Sequence, residues 1–370
     1  MASPLSAITD AIQKALQSFG GARSTGSIAG IDIGTSSIKV VQVKIERGTA
    51  LLETYGEIAL GPYGGLEVGQ AVSPPPEKIA EALTDLIREA NVTATSAGFS
   101  VPLSGSLISV ITLPTKNRND LASMIPIEAR KYIPVPITEV SLDWFVIPEE
   151  EAGFLSAHDK PKNPNATDVL LVAIHNQTLA KFESVTQTAK VTPRFYEVEP
   201  FSMARSAYQH GTAPTMVIDF GASGTRVYII EFGIIDVSHT IGRGGQDLTL
   251  ALQKGGGVTF TEAETLKRDK GLSGTEAGSA VIDFIFSEAR RILLAYQRKE
   301  GKAVSEIVLV GGGAALKGLP EVAARYFDAK ITTSSPFDKV AAPAFIGDVL
   351  KSTGPSFATA IGLALRGLQS

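Results

Sequence analysis

Two segments far apart in the chain carry one pattern, and this repeat constrains the fold more than any other feature. Residues Gly30–Val43 read GIDIGTSSIKVVQV, and Val217–Ile230 read VIDFGASGTRVYII. Side by side, Ile31 matches Ile218, Asp32 matches Asp219, Gly34 matches Gly221 and Ser36 matches Ser223. Lys39 then matches Arg226, and Val40 matches Val227. Each copy reads as an apolar strand ending in Asp, a glycine-containing turn, and a second β-branched strand, which is a hairpin signal. A chain with one such hairpin in each half is expected to hold two related α/β domains.

The hairpin tips have the chemistry of a phosphate cradle. Small residues let backbone N–H groups come close to an anion, and the hydroxyls of Thr35, Ser36, Ser37, Ser223 and Thr225 can donate to phosphate oxygens. Asp32 and Asp219 would repel phosphate directly. They make sense beside it if Mg²⁺ lies between, held through water. Two such hairpins could clamp one nucleotide between two domains. The pattern G-x-x-x-x-G-K-[ST] occurs nowhere, so the chain is not expected to be a P-loop enzyme.

Composition narrows the alternatives. The net charge is −4 over 370 residues, which argues against a general nucleic-acid binder. There is no cysteine and there are four histidines, so disulfides, thiolate metal sites and a cysteine nucleophile are excluded. Apolar runs such as Val169–Ile174 and Ile307–Val310 are strand-sized, well short of the roughly 20 residues that a bilayer span needs. No secretory signal is legible, so a cytosolic location is expected. Leu5, Ile8, Ile12, Leu16 and Phe19 recur at helical spacing and predict an amphipathic N-terminal helix, which would pack on its own domain or meet a partner or a membrane. The segment Gly20–Ser27 reads as a linker.

A third signal completes a set. Ile307–Leu319 reads IVLVGGGAALKGL, a strand running into three glycines, Gly311, Gly312 and Gly313, followed by Leu316. With the two hairpins, this resembles the actin-like ATPase superfamily and its adenosine motif. Glu199–Tyr208 resembles the first connecting helix of that fold, and Gly354–Arg366, with small Ala358, Ala360 and Gly362, the second. The loop Ile241–Leu248, with Gly244 and Gly245, resembles the one after the second phosphate hairpin. Glu264 and Lys267 resemble the A-E-x-x-K helix that contacts ribose and base, and at three residues apart they share one helix face. Within the superfamily, the opening hairpin and Glu128, Ala129, Tyr132, Ile133, Pro134 and Pro136 are similar to the PilM family of type IV pilus assembly proteins, with FtsA a near relative.

The resemblance implies an α/β, actin-like ATPase fold: two ribonuclease H-like domains, an interdomain nucleotide cleft and an inserted 1C subdomain. The expected layout is an N-terminal helix and linker over 1–26, domain 1A over 27–103 and 176–212, subdomain 1C over 104–175, domain 2 over 213–350, and a last helix over 351–370 returning to domain 1A. Within it, helices are expected over Pro74–Ala90, Asp120–Lys131, Thr178–Ala189 and Val281–Lys299. Ile282, Phe284, Ile285, Ile292 and Leu293 are the apolar positions of the last of these. Pro126 predicts a kink or break, and Pro148–Asn165 reads as a surface insertion.

The implied ligands are ATP and Mg²⁺. The phosphates would meet Gly34, Thr35, Ser36, Ser37, Lys39, Gly221, Ala222, Ser223 and Thr225; the nucleoside would meet Gly244, Gly245, Glu264, Lys267, Gly311–Gly313 and Leu316; Asp32 and Asp219 would serve the metal through water. Glu199 is the candidate for positioning an attacking water, or it merely begins its helix ahead of Pro200; slow hydrolysis is left open. The implied role is a cytoplasmic adaptor at the inner membrane. It would hold the cytosolic N-terminal peptide of PilN in a 1A–1C groove and link it to the pilus motor. Contact with motor ATPases, self-association, and membrane association, indirect or through the N-terminal helix, are left open; nucleic acid is not expected. The alternatives are an FtsA-like polymerising protein, against which the absence of an amphipathic C-terminal tail counts, and a small-molecule kinase, for which the chain is short.

Overall fold

Hairpin-forming sequence and its repetition dominate the computed structural model, which describes residues 26–147, 165–209, 211, 213–272 and 276–369. The expected N-terminal helix and the Pro148–Asn165 insertion, apart from Asn165, lie outside these residues. The first copy of the repeat forms β1 (Ile28–Ile33) and β2 (Ser37–Glu46), followed by β3 (Thr49–Ala59). After α1 (Pro76–Glu89), which buries Ile79, Leu83 and Leu86, β4 (Ser96–Val101) pairs parallel to β1.

The chain falls into two compact units, Val101–Ser184 and a larger one made of Thr25–Ser100 with Val185–Leu368. The smaller is an antiparallel sheet of β5 (Ser106–Leu113), β6 (Val140–Val146) and β7 (Thr167–His175), ordered β5-β7-β6. Helix α2 (Arg118–Ala129) packs Leu121, Ile125 and Ala129 into one core with Ile111, Leu113, Val169 and Leu171. Of the kink or break that Pro126 predicts, the break does not occur: α2 runs on to Ala129. Proline leaves only the carbonyl four residues back without its partner. That residue, Ala122, is exposed, so water can satisfy it.

Helix α3 (Asn176–Thr188) lies mostly in the smaller unit, and the larger one continues with β8 (Thr192–Val198) and α4 (Glu199–Ala207). The first sheet is ordered β3-β2-β1-β4-β8. The second copy of the repeat gives β9 (Thr215–Phe220) and β10 (Thr225–Glu231), then β11 (Ile234–Ile241). Helices α5 (Gly245–Gly256), α6 (Phe260–Lys270) and α7 (Glu276–Glu300) follow, then β12 (Glu306–Val310), α8 (Leu319–Ala323) and β13 (Lys330–Thr333). The second sheet is ordered β11-β10-β9-β12-β13, so the two sheets share one topology.

Helix α7 buries Ile282, Ile285, Phe286, Ala289, Ile292 and Leu293 against the second sheet. Phe284, expected on that apolar face, is half exposed instead, because a residue two positions from Ile282 lies about 200° round the helix. The chain closes with α9 (Gly347–Thr353) and α10 (Ala358–Gln369). Helix α10 returns to the first sheet, where Ala360, Ile361 and Ala364 share a core with Ile28, Val41 and Val43. It crosses α4 closely: a Cβ on Gly362 would lie 1.8 Å from the Ser202 carbonyl oxygen, so no other residue fits. Buried Glu197 pins this crossing, accepting hydrogen bonds from Arg205 at 2.8 and 2.9 Å and from Arg366 at 2.7 Å. Burial opposes its charge, yet the two guanidinium groups hold its carboxyl below the ordinary range.

Candidate functional site

The two hairpin tips close with the same hydrogen bond. Gly34 N–H donates to the Ser37 carbonyl at 3.0 Å, and Gly221 N–H to the Gly224 carbonyl at 3.1 Å. Asp32 stands opposite Lys39 in the β1–β2 register, and Asp219 opposite Arg226 in β9–β10. The repeat thus extends to individual bonds and pairings. The tips meet: Thr35 Oγ1 donates to Ser223 Oγ at 3.1 Å.

Between them lies a cavity of about 430 Å³, a size suited to a small molecule or cofactor. The first hairpin lines it with Asp32, Gly34, Thr35, Ser36, Ser37 and Lys39, and the second with Asp219, Gly221 and Ala222. Gly245, Glu264, Lys267, Gly311, Gly312, Gly313, Leu316 and Glu199 complete the sequence-derived residues on its walls. Three others stand outside the lining. Ser223 touches the opposite tip. Thr225 is fully buried and donates to the Arg243 carbonyl at 2.8 Å, so its hydroxyl is spent inside the domain rather than offered to phosphate. Gly244 caps α5, whose first N–H groups, from Gly245 and Gln246, donate to the Gly221 and Ala222 carbonyls at 2.9 Å each. This helix start therefore braces the second tip.

The carboxylates are arranged unequally. Asp32 accepts a hydrogen bond from Ser100 Oγ at 2.7 Å. Asp219 is pushed above its ordinary value, chiefly by burial and further by Asp32, against the pull of Arg226. Two carboxylates in reach of each other, one of them reluctant to ionise alone, fit a divalent cation in their midst. No cluster of three potential ligands exists among the described residues, so an ion here would need oxygens from phosphate and water, the habit of Mg²⁺. Gly311, at φ 85°, runs so close that a Cβ would sit 2.3 Å from Asp219 Oδ1. A side chain at this position would collide with the Asp219 carboxylate.

The Glu264–Lys267 pair is real and inward. Their head groups are 2.6 Å apart, and Lys267 Nζ also donates to the Gly245 carbonyl at 3.0 Å. Burial opposes Glu264's charge, but Lys267, Thr249 and Arg268 together hold its carboxyl low. Burial also pulls the Lys267 ammonium down, and Glu264 resists that. Glu199 does more than begin its helix, because Arg226 Nε reaches its carboxylate at 3.3 Å and Arg226 Nη1 reaches Asp219 at 3.5 Å.

Sequence reasoning missed several lining residues. Arg226 was matched to Lys39 but not placed in the site. Ser352, Thr353, Pro355 and Ser356 also line the cavity, brought there as the Gly311 N–H donates to the Pro355 carbonyl at 2.9 Å. The segment Gly354–Arg366 resembles a connecting helix, and nothing in its sequence marks the residues ahead of that helix as part of the cavity wall.

Two sheets of identical topology, joined by crossed helices and each presenting an Asp-bearing hairpin to one cavity, define the actin-like ATPase fold. The family model for the type IV pilus assembly protein PilM matches residues 30–368, and the chain belongs to that family. Among solved structures, it is similar to a chain of a PilM-PilN type IV pilus biogenesis complex, at 24% identity over 94% of this chain and 99% of that one, with a TM-score of 0.79. The ethanolamine utilization protein EutJ from Carboxydothermus hydrogenoformans matches at 16% identity, 98% and 99% coverage and TM-score 0.55. The MamK double helical filament matches at 12%, 92% and 98%, and 0.50. No helix among the described residues is long and apolar enough to cross a membrane.

Proposed function

We propose that this chain is an adaptor of the type IV pilus assembly machine that binds Mg·ATP between its two hairpins and docks the N-terminal cytosolic peptide of a PilN-like inner-membrane protein. The observation that carries the nucleotide half is the convergence of both hairpin tips, with their aspartates, on one cavity closed by the Gly311–Gly313 loop. Tip hydroxyls from Thr35, Ser36 and Ser37, with the Lys39 ammonium, would meet phosphate oxygens. Asp32 and Asp219 would hold the metal through water, and Glu264, Lys267 and Leu316 would flank the nucleoside. Bound Mg²⁺ would supply charge neutralisation to the phosphates. Family membership and likeness to the PilM-PilN complex support the partner. In this reading residues 104–175, within the compact unit Val101–Ser184, are the inserted subdomain, and the protein works on the cytoplasmic side of the membrane.

Turnover is the weaker part of this activity. Glu199 faces the cavity, but its carboxylate is engaged by Arg226, so it is held toward the second hairpin rather than free to orient water. An adaptor whose nucleotide sets its conformation needs no fast hydrolysis.

The test is calorimetric titration with the cytosolic N-terminal peptide of the host's PilN-like protein, with and without Mg·ATP. The expected result is micromolar or tighter peptide binding that shifts when nucleotide is present. Nucleotide binding without any peptide binding would remove the adaptor role and leave the fold and its cleft.

A further inference from the structure

Between β3 and α1 the chain makes a glycine-rich excursion over residues 61–71, all within the larger unit. Both of its ends are fixed to the first hairpin tip. Leu60 N–H donates to the Ser36 carbonyl at 2.9 Å, and Val72 N–H donates to the Thr35 carbonyl at 2.8 Å. Its crown crosses to the second half of the hairpin cavity. Ala71 N–H donates to Gln246 Oε1 on α5 at 2.5 Å, and the Thr261 hydroxyl on α6 donates to the Glu67 carboxylate. Gly69, at φ 92°, lies so close to Glu264 that a Cβ would sit 2.9 Å from the carboxyl carbon. Gly69, Gln246 and Glu264 all line the cavity. The excursion is therefore a piece of the cavity wall, strung between the tip that would meet phosphate and the carboxylate that would meet nucleoside.

Base and crown are held differently. At the base Leu60 is buried, Leu66 N–H donates to the Gly61 carbonyl at 2.8 Å, and a Cβ on Gly61 would lie 2.0 Å from the Glu67 carbonyl oxygen. The crown closes on itself: Glu67 N–H donates to Gln70 Oε1 at 2.8 Å, and Gln70 N–H returns to the Glu67 carbonyl at 3.2 Å. No side chain from 66 to 71 is buried, and Leu66 and Val68 are exposed. The crown's hold on α5 and α6 is therefore polar, and the Glu67–Thr261 contact is open to water. A segment without buried apolar contacts, held by solvated hydrogen bonds, opens at low free-energy cost. Gly65, at φ 74°, gives it a bend that a side chain would resist. We infer that residues 66–71 are a gating strap of the hairpin cavity: closed, the strap joins the two halves, and it lifts from Gln246 and Thr261 for a ligand to enter or leave. This rests on the nucleotide reading above and deepens it. Glu67 and Thr261 stand outside the cavity lining, so they set how fast nucleotide exchanges rather than how tightly it is held.

The test is stopped-flow exchange of a fluorescent ATP analogue on the full chain. A contact made equally with and without ligand moves both rates and not their ratio. In E67A and in T261V, association and dissociation should therefore both quicken about fivefold, the worth of one hydrogen bond, with Kd unchanged within about twofold. Faster dissociation alone would make the strap a ligand contact, and unchanged rates would make it a fixed wall; either result overturns the gate. The converse variant uses the absence of cysteine. E67C/T261C puts two thiols at exposed positions, to be bridged by a bifunctional maleimide after loading. Bridged protein should retain the analogue about tenfold longer than the same protein capped with a monofunctional maleimide. Equal retention overturns the gate. If the unmodified protein binds no analogue, the nucleotide reading falls and the gate with it. If it binds and exchange ignores both the substitutions and the bridge, the gate alone falls.

Discussion

The two hairpins share backbone geometry and differ in charge wiring. In the first, Lys39 Nζ rests on Ser37 Oγ at 2.6 Å and on Glu57 at 3.1 Å, and Glu57 is 46% exposed. In the second, Arg226 is locked between Asp219 and Glu199, whose side chains are 20% and 11% exposed. The Lys39 side chain is itself only 12% exposed, but it answers to a single, partly exposed carboxylate, so turning toward an arriving phosphate strands no buried charge. An arginine shared by two half-sequestered carboxylates cannot leave both without stranding them; Glu199 raises its proton affinity most, against desolvation. The second copy therefore ties the cavity to α4 and so to the crossing of α4 with α10, a tie the first copy lacks. The two hairpins share a shape and differ at single positions in what their cations hold.

The largest effect should come from cutting the second copy's tie. R226M is expected to cost about 3 kcal/mol in urea unfolding, because it leaves two carboxylates without their cation. K39M, its counterpart, should cost less, about 1 kcal/mol, since its single partner Glu57 is about half exposed and water can take over part of its charge, while weakening nucleotide binding. Equal losses would erase the distinction. Threonines at the tips offer a smaller contrast. T225V removes a buried donor from the Arg243 carbonyl and should cost about 1.5 kcal/mol; T35V should stay within about 0.5 kcal/mol and act on nucleotide affinity.

D219A should weaken Mg·nucleotide binding about tenfold, equivalent to about 1.4 kcal/mol, by removing a metal-side carboxylate. Magnesium dependence that persists unchanged would exclude Asp219 from that role. The smallest effect is on pH dependence. Because the folded state holds Asp219 above its unfolded value of 3.8, its ionisation costs stability as pH rises through and beyond that value. In the absence of nucleotide, D219N should therefore melt slightly higher than wild type at neutral pH, with the gain vanishing in acid below the unfolded value. Buried Glu197 has the opposite sign: its contribution is present above its unfolded value of 4.5 and is lost as pH falls below that value through its lower folded one, so acid melting should be blunted in E197Q.

Much of the site was legible in the sequence because its parts are local. Glycine, hydroxyl and aspartate at fixed offsets specify a tip whatever surrounds it, and small residues at Ala360 and Gly362 announced a close helix crossing. Less local features were misread for identifiable reasons. Phe284 counted as apolar, yet its helical phase faces solvent. Pro126 allowed for a break, yet the helix continues, and the residue whose carbonyl it orphans, Ala122, is exposed to solvent. Thr225 has the right chemistry for phosphate, but its rotamer is taken by a carbonyl from the next loop. The approach of Ser352–Ser356 to the cavity depends on where α9 packs, and no short pattern encodes that.

By itself the sequence determined that two hairpins exist, that both carry an aspartate opposite a cation, and that the chain is a duplicated α/β fold. Those properties arise from alternation, turn chemistry and neighbours a few residues apart. Only the tertiary structure decided which carboxylate each cation meets, that Thr225 turns inward, and that the Ser352–Ser356 segment reaches the hairpin cavity. Such outcomes depend on residues brought together from distant segments, and the free energy that selects them is the burial and pairing of charge, which no local pattern records.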